Sequence, residues 1–230
     1  MLVCQHQCCS PGEWEDILSS VLATPLHLYM KRPEASCKAS QVAQLPIPLE
    51  VHLSCLYAFL IFHKSNNLTK IKASDDSVQT GSYVVPGPRG ICFDGVSLWV
   101  CSSTSNSVIK VNPNDGTVLG TFAVGARPEA DCFDGTNIWV ANQGANNVTE
   151  VDLSGNVIGT YPVQTAPAGI VFDGRYIWVT NSGSNTISQL DYTNGALIGS
   201  YPVNNSPIGV CFDGNAVWVA NETSGNLLRR

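Results

Sequence analysis

The sequence has few charged residues. Its 12 Lys and Arg with 18 Asp and Glu make up 13% of 230 residues, against roughly 25% in an ordinary soluble domain. The net charge is −6, whereas proteins that bind nucleic acids or anionic membranes usually carry a basic surface. We therefore expect neither as a partner. With 44% hydrophobic residues the chain has enough apolar side chains for a core, which excludes a disordered protein.

Long apolar runs are also missing, and the cysteines cannot all pair. The most apolar stretch, 53–62, spans ten residues, whereas a membrane helix needs about 20. The first seven residues carry no basic start before an apolar run, so no signal peptide or membrane span is visible and no compartment is indicated. The nine cysteines are odd in number and too sparse for a small disulfide scaffold, so we expect reduced thiols.

A repeat of about 40 residues dominates the rest of the chain. The tripeptide Phe-Asp-Gly occurs four times at spacings of 40, 39 and 40 residues, and a tryptophan follows each Phe by six residues. A proline precedes each Phe by five residues and a valine by nine. The aromatic markers are Phe93, Phe133, Phe172 and Phe212 with Trp99, Trp139, Trp178 and Trp218.

Turn residues divide each copy into four short apolar runs, which is the pattern of β-strands. In the copy that begins at Pro128 the runs are 130–133, 137–141, 147–151 and 157–163. Four strands in every repeat predict a β-propeller blade. We expect the Asp-Gly pair to close the first hairpin of each blade, and the aromatic rings to fill the space between neighbouring blades.

Three of the second-strand segments carry a family resemblance. Residues 138–142 (Ile-Trp-Val-Ala-Asn), 177–181 (Ile-Trp-Val-Thr-Asn) and 217–221 (Val-Trp-Val-Ala-Asn) resemble the YVTN-type, NHL-like β-propeller repeats, which are related in pattern to the streptogramin lyase group. The resemblance covers 65–230 and implies a propeller fold. It leaves the function open, because such propellers include enzymes, ligand binders and surface proteins.

The repeats predict an all-β propeller of about four to five blades, as an incomplete arc rather than a closed four-bladed ring. The arc is favoured because a second strand is present at both ends of the repeat region, and a closed ring needs only one. The predicted divisions are an N-terminal segment at 1–48, a degenerate first blade at 49–87, and three complete blades with one truncated blade at 88–230. In the degenerate blade Phe59 stands where the tryptophan recurs.

One short helix is predicted near the N-terminus. Residues 10–13 have the order of a capping box with proline at the first helical position, and an apolar stripe of helical spacing follows. We predict an amphipathic helix over 11–23 that covers the first blade, with a partner-binding helix as the alternative. The open ends of the arc could also associate with each other between two copies.

Histidine is absent from 65–230, which weighs against most enzymes. The resemblance to streptogramin lyases implies a histidine and an acidic metal site, and no position of this chain matches that histidine. No phosphate-binding loop, nucleophile elbow or usual zinc spacing occurs either. Four residues that could bind a metal through soft ligands crowd near the N-terminus, where we favour exposed side chains instead; they are Cys4, His6, Cys8 and Cys9.

One repeat breaks the pattern with two carboxylates. Two residues before the Phe, Asp131 replaces an aliphatic residue, and Glu129 lies two residues earlier on the same strand. Residues two apart share one strand face, so the pair would lie near the mouth of the central channel and could hold a divalent cation or raise one pKa. The interpretation that we favour is a solvated strand start, with Arg127 as the counter-ion.

Polar loops follow the second strand of each blade. One recurring position holds Asn142, Asn181 and Asn221, and Ser102 stands there in the repeat that begins at Pro88. We expect these side chains to tie the following loop through bonds to the backbone. These loops, which include Gln143, are rich in Asn and Ser and almost uncharged. Such a rim suits hydrogen-bonded recognition of a peptide, glycan or neutral small molecule.

The preferred function is a non-catalytic binding or scaffold module that recognises a protein, peptide or small ligand on its loop rim, with no catalytic residue and no required cofactor. The alternative is a metal-dependent propeller lyase or lactonase-like hydrolase with a divalent cation at Glu129 and Asp131. A truncated or rearranged gene product is a third reading. The candidate ligand-binding residues are Arg127, Glu129, Asp131, Asn142, Gln143, Asn181 and Asn221.

Overall fold

The computed structural model describes residues 28–31, 57–62, 66–72 and 77–230, and the helix predicted over 11–23 lies outside them. Within these residues the chain forms five antiparallel β-sheets, numbered here sheet 1 to sheet 5 in chain order. Among the described residues, no helix has the length and apolar character needed to cross a membrane.

The strands of each sheet are consecutive in sequence and adjacent in space. Sheet 1 contains β1 (Leu28–Lys31), β2 (Tyr57–Phe62), β3 (Asn67–Lys72) and β4 (Ser77–Val84). Sheet 2 contains β5 (Pro88–Phe93), β6 (Leu98–Ser102), β7 (Ser107–Val111) and β8 (Val118–Ala123). Sheet 3 contains β9 (Pro128–Phe133), β10 (Ile138–Asn142), β11 (Asn147–Val151) and β12 (Val157–Pro162). Sheet 4 contains β13 (Pro167–Phe172), β14 (Tyr176–Asn181), β15 (Thr186–Asp191) and β16 (Leu197–Pro202), and sheet 5 contains β17 (Pro207–Phe212), β18 (Val217–Asn221) and β19 (Asn226–Arg229).

The sheets follow one another in the manner of propeller blades. The first strands of sheets 2 to 5 contact each other in order, so they form the inner side of the arrangement. The fourth strands lie at the outer edge, where alternate or adjacent residues are exposed. The predicted all-β architecture of consecutive four-stranded blades is confirmed.

Sheet 1 begins earlier in the chain than the repeat period indicates. Its first strand is β1, in which Leu28 pairs with Leu60 and Lys31 with Tyr57. The range 49–87 that was predicted for the first blade therefore contains β2, β3 and β4 but not β1. A fixed period of 40 residues cannot register this pairing, because it joins segments whose separation differs from that in the other copies.

The core lies between the sheets, as the recurring aromatic residues predict. Sheet 2 contributes Trp99, Cys101 and Val108 to one interface, where they face Ile138 and Val140 of sheet 3. The equivalent tryptophan of sheet 3, Trp139, is also fully buried, in the interface with sheet 4. Burial of Cys92, Cys132 and Val171 at one shared position confirms that this position takes small hydrophobic side chains.

The Phe-Asp-Gly hairpin and the tryptophan are joined by one carboxylate. In sheet 3, Asp134 Oδ1 accepts hydrogen bonds from the backbone N–H groups of Thr136 and Asn137, both at 2.7 Å. Its Oδ2 accepts the indole N–H of Trp139 at 2.7 Å. The same indole bond recurs in sheets 2, 4 and 5, from Trp99 to Asp94, Trp178 to Asp173 and Trp218 to Asp213. The recurring spacing of these markers thus has a direct structural cause: the aspartate both closes the turn and binds the indole N–H of the tryptophan.

Candidate functional site

The loops between second and third strands meet the segments that lead into the first strands at one end of the sheets. Backbone hydrogen bonds join the two sets, for example from Gln143 N–H to Arg127 C=O and from Ser182 N–H to Ala166 C=O, both at 2.9 Å. We call this end the loop rim. It contains loops 103–106, 143–146, 182–185 and 222–225 with lead-in segments 85–87, 124–127, 163–166 and 203–206.

Asparagines in the left-handed conformation hold the rim in place. Asn106, with φ of 51°, accepts the backbone N–H of Arg127 at 2.9 Å through Oδ1. Asn146 binds the N–H of Ala166 and Asn185 that of Ser206 in the same way, at 2.8 and 2.9 Å. Asparagine tolerates this conformation better than most residues. The sequence interpretation missed these residues, although an Asn stands seven positions after the first three tryptophans.

The recurring asparagines that were proposed as ligand contacts are instead buried. Asn142 and Asn181 are 0% exposed and Asn221 is 2% exposed. Asn142 Nδ2 donates to the side chains of Asn147 and Thr149, both at 2.8 Å. A Cβ at Gly125 would lie 2.6 Å from Asn142 Cγ, so the lead-in segment passes directly over this side chain.

The predicted ties from these side chains to the backbone are mostly replaced by bonds to side chains of the third strand. Asn181 Nδ2 donates to Ser188 Oγ at 2.9 Å and to Thr186 Oγ1 at 3.2 Å, while its contact with the Thr186 carbonyl is 3.5 Å long. They therefore stabilise the ends of the strands beneath the rim loops, and their buried amides do not face a ligand on the rim.

Glu129 forms an ion pair at the inner side of the rim, but not with the predicted partner. Its Oε1 lies 3.5 Å from Arg89 Nη1, and the two side chains are 17% and 35% exposed. Arg89 occupies the same repeat position in β5 that Glu129 occupies in β9, so the pair bridges two neighbouring inner strands. Arg127, which was expected to be the counter-ion, is exposed and makes no ion pair among the described residues.

Asp131 lies in a different environment from Glu129. It is 2% exposed and sits opposite Val140 in the strand register, inside the interface between sheets 2 and 3. A Cβ at Gly90 would lie 2.6 Å from Asp131 Oδ1, so the carboxyl points at the neighbouring inner strand. Burial raises the pKa of Asp131 to about 7, and interactions with the thiols of Cys92 and Cys101 lower it only in part. The solvated strand start that the sequence favoured is therefore wrong for Asp131, and its raised pKa comes from burial and not from pairing with Glu129.

The two carboxylates do not form a shared cation site. The carboxylate of Glu129 is engaged by a guanidinium, whereas both oxygens of Asp131 are enclosed between sheets and have no hydrogen-bond partner among the described residues. Nor do three or more His, Cys, Asp or Glu side chains converge in metal-binding geometry anywhere in the part of the chain that the structure describes. The residues that the metal-dependent alternative requires therefore do not fit a divalent cation.

Arg127 and Gln143 are the predicted residues that the rim presents to solvent. The Arg127 side chain is exposed, and its backbone has φ of 51°. Gln143 is half-buried beside it, and its N–H binds the Arg127 carbonyl at 2.9 Å. The structure therefore brings Arg127 and Gln143 together through a backbone hydrogen bond, while Glu129 pairs separately with Arg89.

No protein family and no curated protein matches the sequence. Among solved structures, the chain is similar to a catalytically inactive virginiamycin B lyase from Staphylococcus aureus with quinupristin, at 16% identity and a TM-score of 0.64 over 75% of this chain and 62% of that chain. A streptogramin B lyase structure is similar at 18% identity and a TM-score of 0.62, over 75% of this chain and 64% of that chain. A functionally unknown protein from Desulfotomaculum acetoxidans has 16% identity and a TM-score of 0.62, with 77% and 66% covered.

The chain thus spans less than two thirds of the length of each of the two lyase structures. At such low identity the likeness concerns the fold and does not extend to the activity. Together with the consecutive antiparallel sheets, it shows that this chain has the β-propeller fold of streptogramin B lyase-like proteins.

Proposed function

We propose that this protein is a non-catalytic β-propeller module that binds a peptide, protein or small ligand on its loop rim. The observation that supports this most is the combination of exposed polar side chains with a backbone that is already held in place. Each of the loops after β6, β10 and β14 is bonded to the adjoining lead-in segment, through backbone groups and an asparagine side chain. A surface ordered before binding loses less conformational entropy when a ligand docks.

Arg127 is the residue that we propose contacts the ligand. Its N–H binds Asn106 Oδ1 and its C=O accepts the N–H of Gln143, both at 2.9 Å, so the backbone on which its guanidinium stands is fixed. The equivalent positions hold Gly87, Ala166 and Ser206, which shows that the left-handed backbone at this position does not itself require arginine. A guanidinium on such a backbone suits a ligand that presents a carboxylate or carbonyl oxygen.

The YVTN-type assignment is part of the same proposal. It rests on the second strands, whose Trp-Val-x-Asn order recurs in β10, β14 and β18. In this chain the tryptophan of that motif packs between sheets and its asparagine supports the rim. The motif is therefore expected to specify the scaffold, and the ligand contacts are expected from the variable residues around it.

The runner-up, a metal-dependent lyase or lactonase-like hydrolase, has one observation in its favour: two of the similar structures are lyases. It would need Glu129 and Asp131 to share a cation, which their separate environments oppose. Thermal unfolding in millimolar Mg²⁺ or Ca²⁺ discriminates the two functions, because a cation bound to the folded state raises the melting temperature. We expect no rise; a rise that Glu129→Gln abolishes would support the enzyme.

The binding proposal is tested with an array of random-sequence peptides and neutral oligosaccharides. The wild-type protein is compared with the double variant Arg127→Ala/Gln143→Ala and with the matched control Arg175→Ala. Arg175 is also exposed, but it lies at the Asp-Gly turn between β13 and β14, at the opposite end of the sheets from the rim.

We expect array members that bind the wild type and the Arg175 variant equally and the double variant at least about tenfold more weakly, since a few central contacts carry most of the binding energy. An array with no binder, or binders that are lost with the Arg175 variant instead, would contradict the proposal.

A further inference from the structure

One inter-sheet interface differs from the others in a single residue. Two positions before each recurring Phe, the residues Ile91, Ile170 and Val210 are 4%, 1% and 3% exposed and belong to apolar clusters. At the same position sheet 3 has Asp131, which is 2% exposed in the interface with sheet 2. The carboxyl group thus takes the place of a core aliphatic side chain.

The groups that surround Asp131 offset the cost of burying its charge only in part. The first strand of sheet 2 presents Cys92, its second strand presents Cys101, and both thiols are neutral because burial raises their pKa values. Arg89 on the same first strand pairs with Glu129. The neighbouring strands β10 and β13 contain no ionisable residue, and Cys132, next to Asp131 on β9, is a buried thiol with a raised pKa. Thiols are weak hydrogen-bond donors, so a buried carboxyl with two thiols beside it and no cation still destabilises the contact that encloses it.

The interface between sheets 3 and 4 is a natural comparison within the same molecule. Its core contains Cys132 and Trp139 of sheet 3 packed with Ile170, Ile177 and Val179 of sheet 4. The interface between sheets 2 and 3 has the same kind of members, with Cys92, Trp99 and Cys101 in sheet 2. The two interfaces therefore share a buried tryptophan and buried cysteine. The buried carboxylate beside Trp139, Glu150, accepts hydrogen bonds from Asn137 and Tyr161, whereas Asp131 has only thiols beside it.

We propose that the interface between sheets 2 and 3 is a seam at which the protein opens locally before its other inter-sheet interfaces, uncovering the thiols of Cys92 and Cys101 while sheets 3 and 4 stay together. Opening hydrates Asp131, which removes the penalty of its burial, and the interface between sheets 3 and 4 has no equivalent gain. Local opening of this kind is set by the stability of individual units, not by that of the whole fold. This local opening does not depend on which ligand the loop rim binds.

Pulsed alkylation with iodoacetamide, read by mass spectrometry of the cysteine-containing peptides, tests the seam. Cys132 is the internal reference, because it is 0% exposed but faces the interface between sheets 3 and 4. Burial raises the pKa of all three thiols, so their different rates report opening and not different acidity in the closed state. At pH 7.5 we expect Cys92 and Cys101 to react at least about tenfold faster than Cys132.

The variant Asp131→Ile restores the aliphatic residue and should slow Cys92 and Cys101 by roughly 100-fold, since it removes a group whose burial penalises the closed interface. The rate of Cys132 should change by less than about twofold, because its own interface is untouched. Asp115→Asn, which removes the same charge from an exposed turn, should leave all three rates unchanged. Equal rates for the three cysteines in the wild type, or an equal slowing of all three in Asp131→Ile, would overturn the proposal.

Discussion

Truncation of one hairpin aspartate should destabilise the protein strongly, although the residue lies at a turn. Asp134→Ala removes a carboxylate that accepts hydrogen bonds from the N–H groups of Thr136, Asn137 and Trp139, each at 2.7 Å. The turn N–H groups can bind water after the change. The indole N–H cannot do so readily, because Trp139 is 0% exposed and stacks on Tyr161 with ring centroids 5.5 Å apart.

The magnitude follows from these environments. Hydrogen bonds to a charged acceptor contribute about 1.5–3 kcal/mol each, and a buried donor left without a partner costs about 1–3 kcal/mol. With partial replacement by water at the turn, we expect Asp134→Ala to lower the free energy of unfolding by about 3–5 kcal/mol. The matched control is Asp213→Ala, whose carboxylate makes the same three bonds to Asn215, Ala216 and Trp218. Trp218 is only half-buried and the Asp213 carboxylate is exposed, so this variant should lose less stability than Asp134→Ala.

Urea denaturation followed by far-ultraviolet circular dichroism measures both losses without depending on tryptophan emission, which the substitutions would alter directly. The reasoning requires the midpoint of Asp134→Ala to fall further than that of Asp213→Ala. A loss below about 1 kcal/mol for Asp134→Ala, or equal losses for the two variants, would show that the carboxylate does not fix the buried ring.

Three further outcomes are expected. Asp131 has a pKa of about 7 in the folded protein and about 3.9 in the unfolded chain, so between these pH values the folded state binds one proton more. The free energy of unfolding should therefore fall by up to about 4 kcal/mol as pH rises from about 4 to 7. Urea titrations of the wild type and Asp131→Ile at pH 5 and 8 measure this fall, and equal pH dependence in both proteins would refute it. Asn146→Gly keeps the left-handed backbone but loses the bond to Ala166 N–H, so it should cost about 1 kcal/mol, and Asn146→Val more, as measured by urea denaturation. Arg89→Ala should cost less than about 1 kcal/mol in the same assay, because its contact with Glu129 is 3.5 Å long and partly exposed; a larger loss would show that the pair stabilises the inner strands.

The repeated elements of the fold could be predicted from the sequence because every copy repeats the same physical signals. Phe133, Asp134, Gly135 and Trp139 recur at fixed offsets, and each has the same structural task in its own sheet. The period therefore predicts the strands, the first hairpin and the buried rings. The inner strand of sheet 1 could not be found in this way, since β1 lies outside the period and is recognised only by its pairing with β2.

The candidate site was predicted less well, because the depth of a side chain depends on segments distant in sequence. Asn142 is the last residue of its strand and precedes a polar loop, which suggests exposure, but the lead-in segment at Gly125 covers it. Asp131 stands two residues from Glu129 on one strand, yet only Glu129 reaches the rim and Arg89. Strand periodicity assigns a face to each residue, and the neighbouring sheet decides whether that face meets solvent or core.

Hydrogen exchange of the protein with and without a ligand selected on the peptide and oligosaccharide array tests the proposed binding surface most directly. We predict slower exchange in 124–127 and 143–146, which contain Arg127 and Gln143, with no change at the Asp-Gly turns 94–97 and 134–137 at the other end of sheets 2 and 3. Protection at those turns, or along the outer strands β8 and β12 with none at the rim, would contradict a binding module that uses its loop rim.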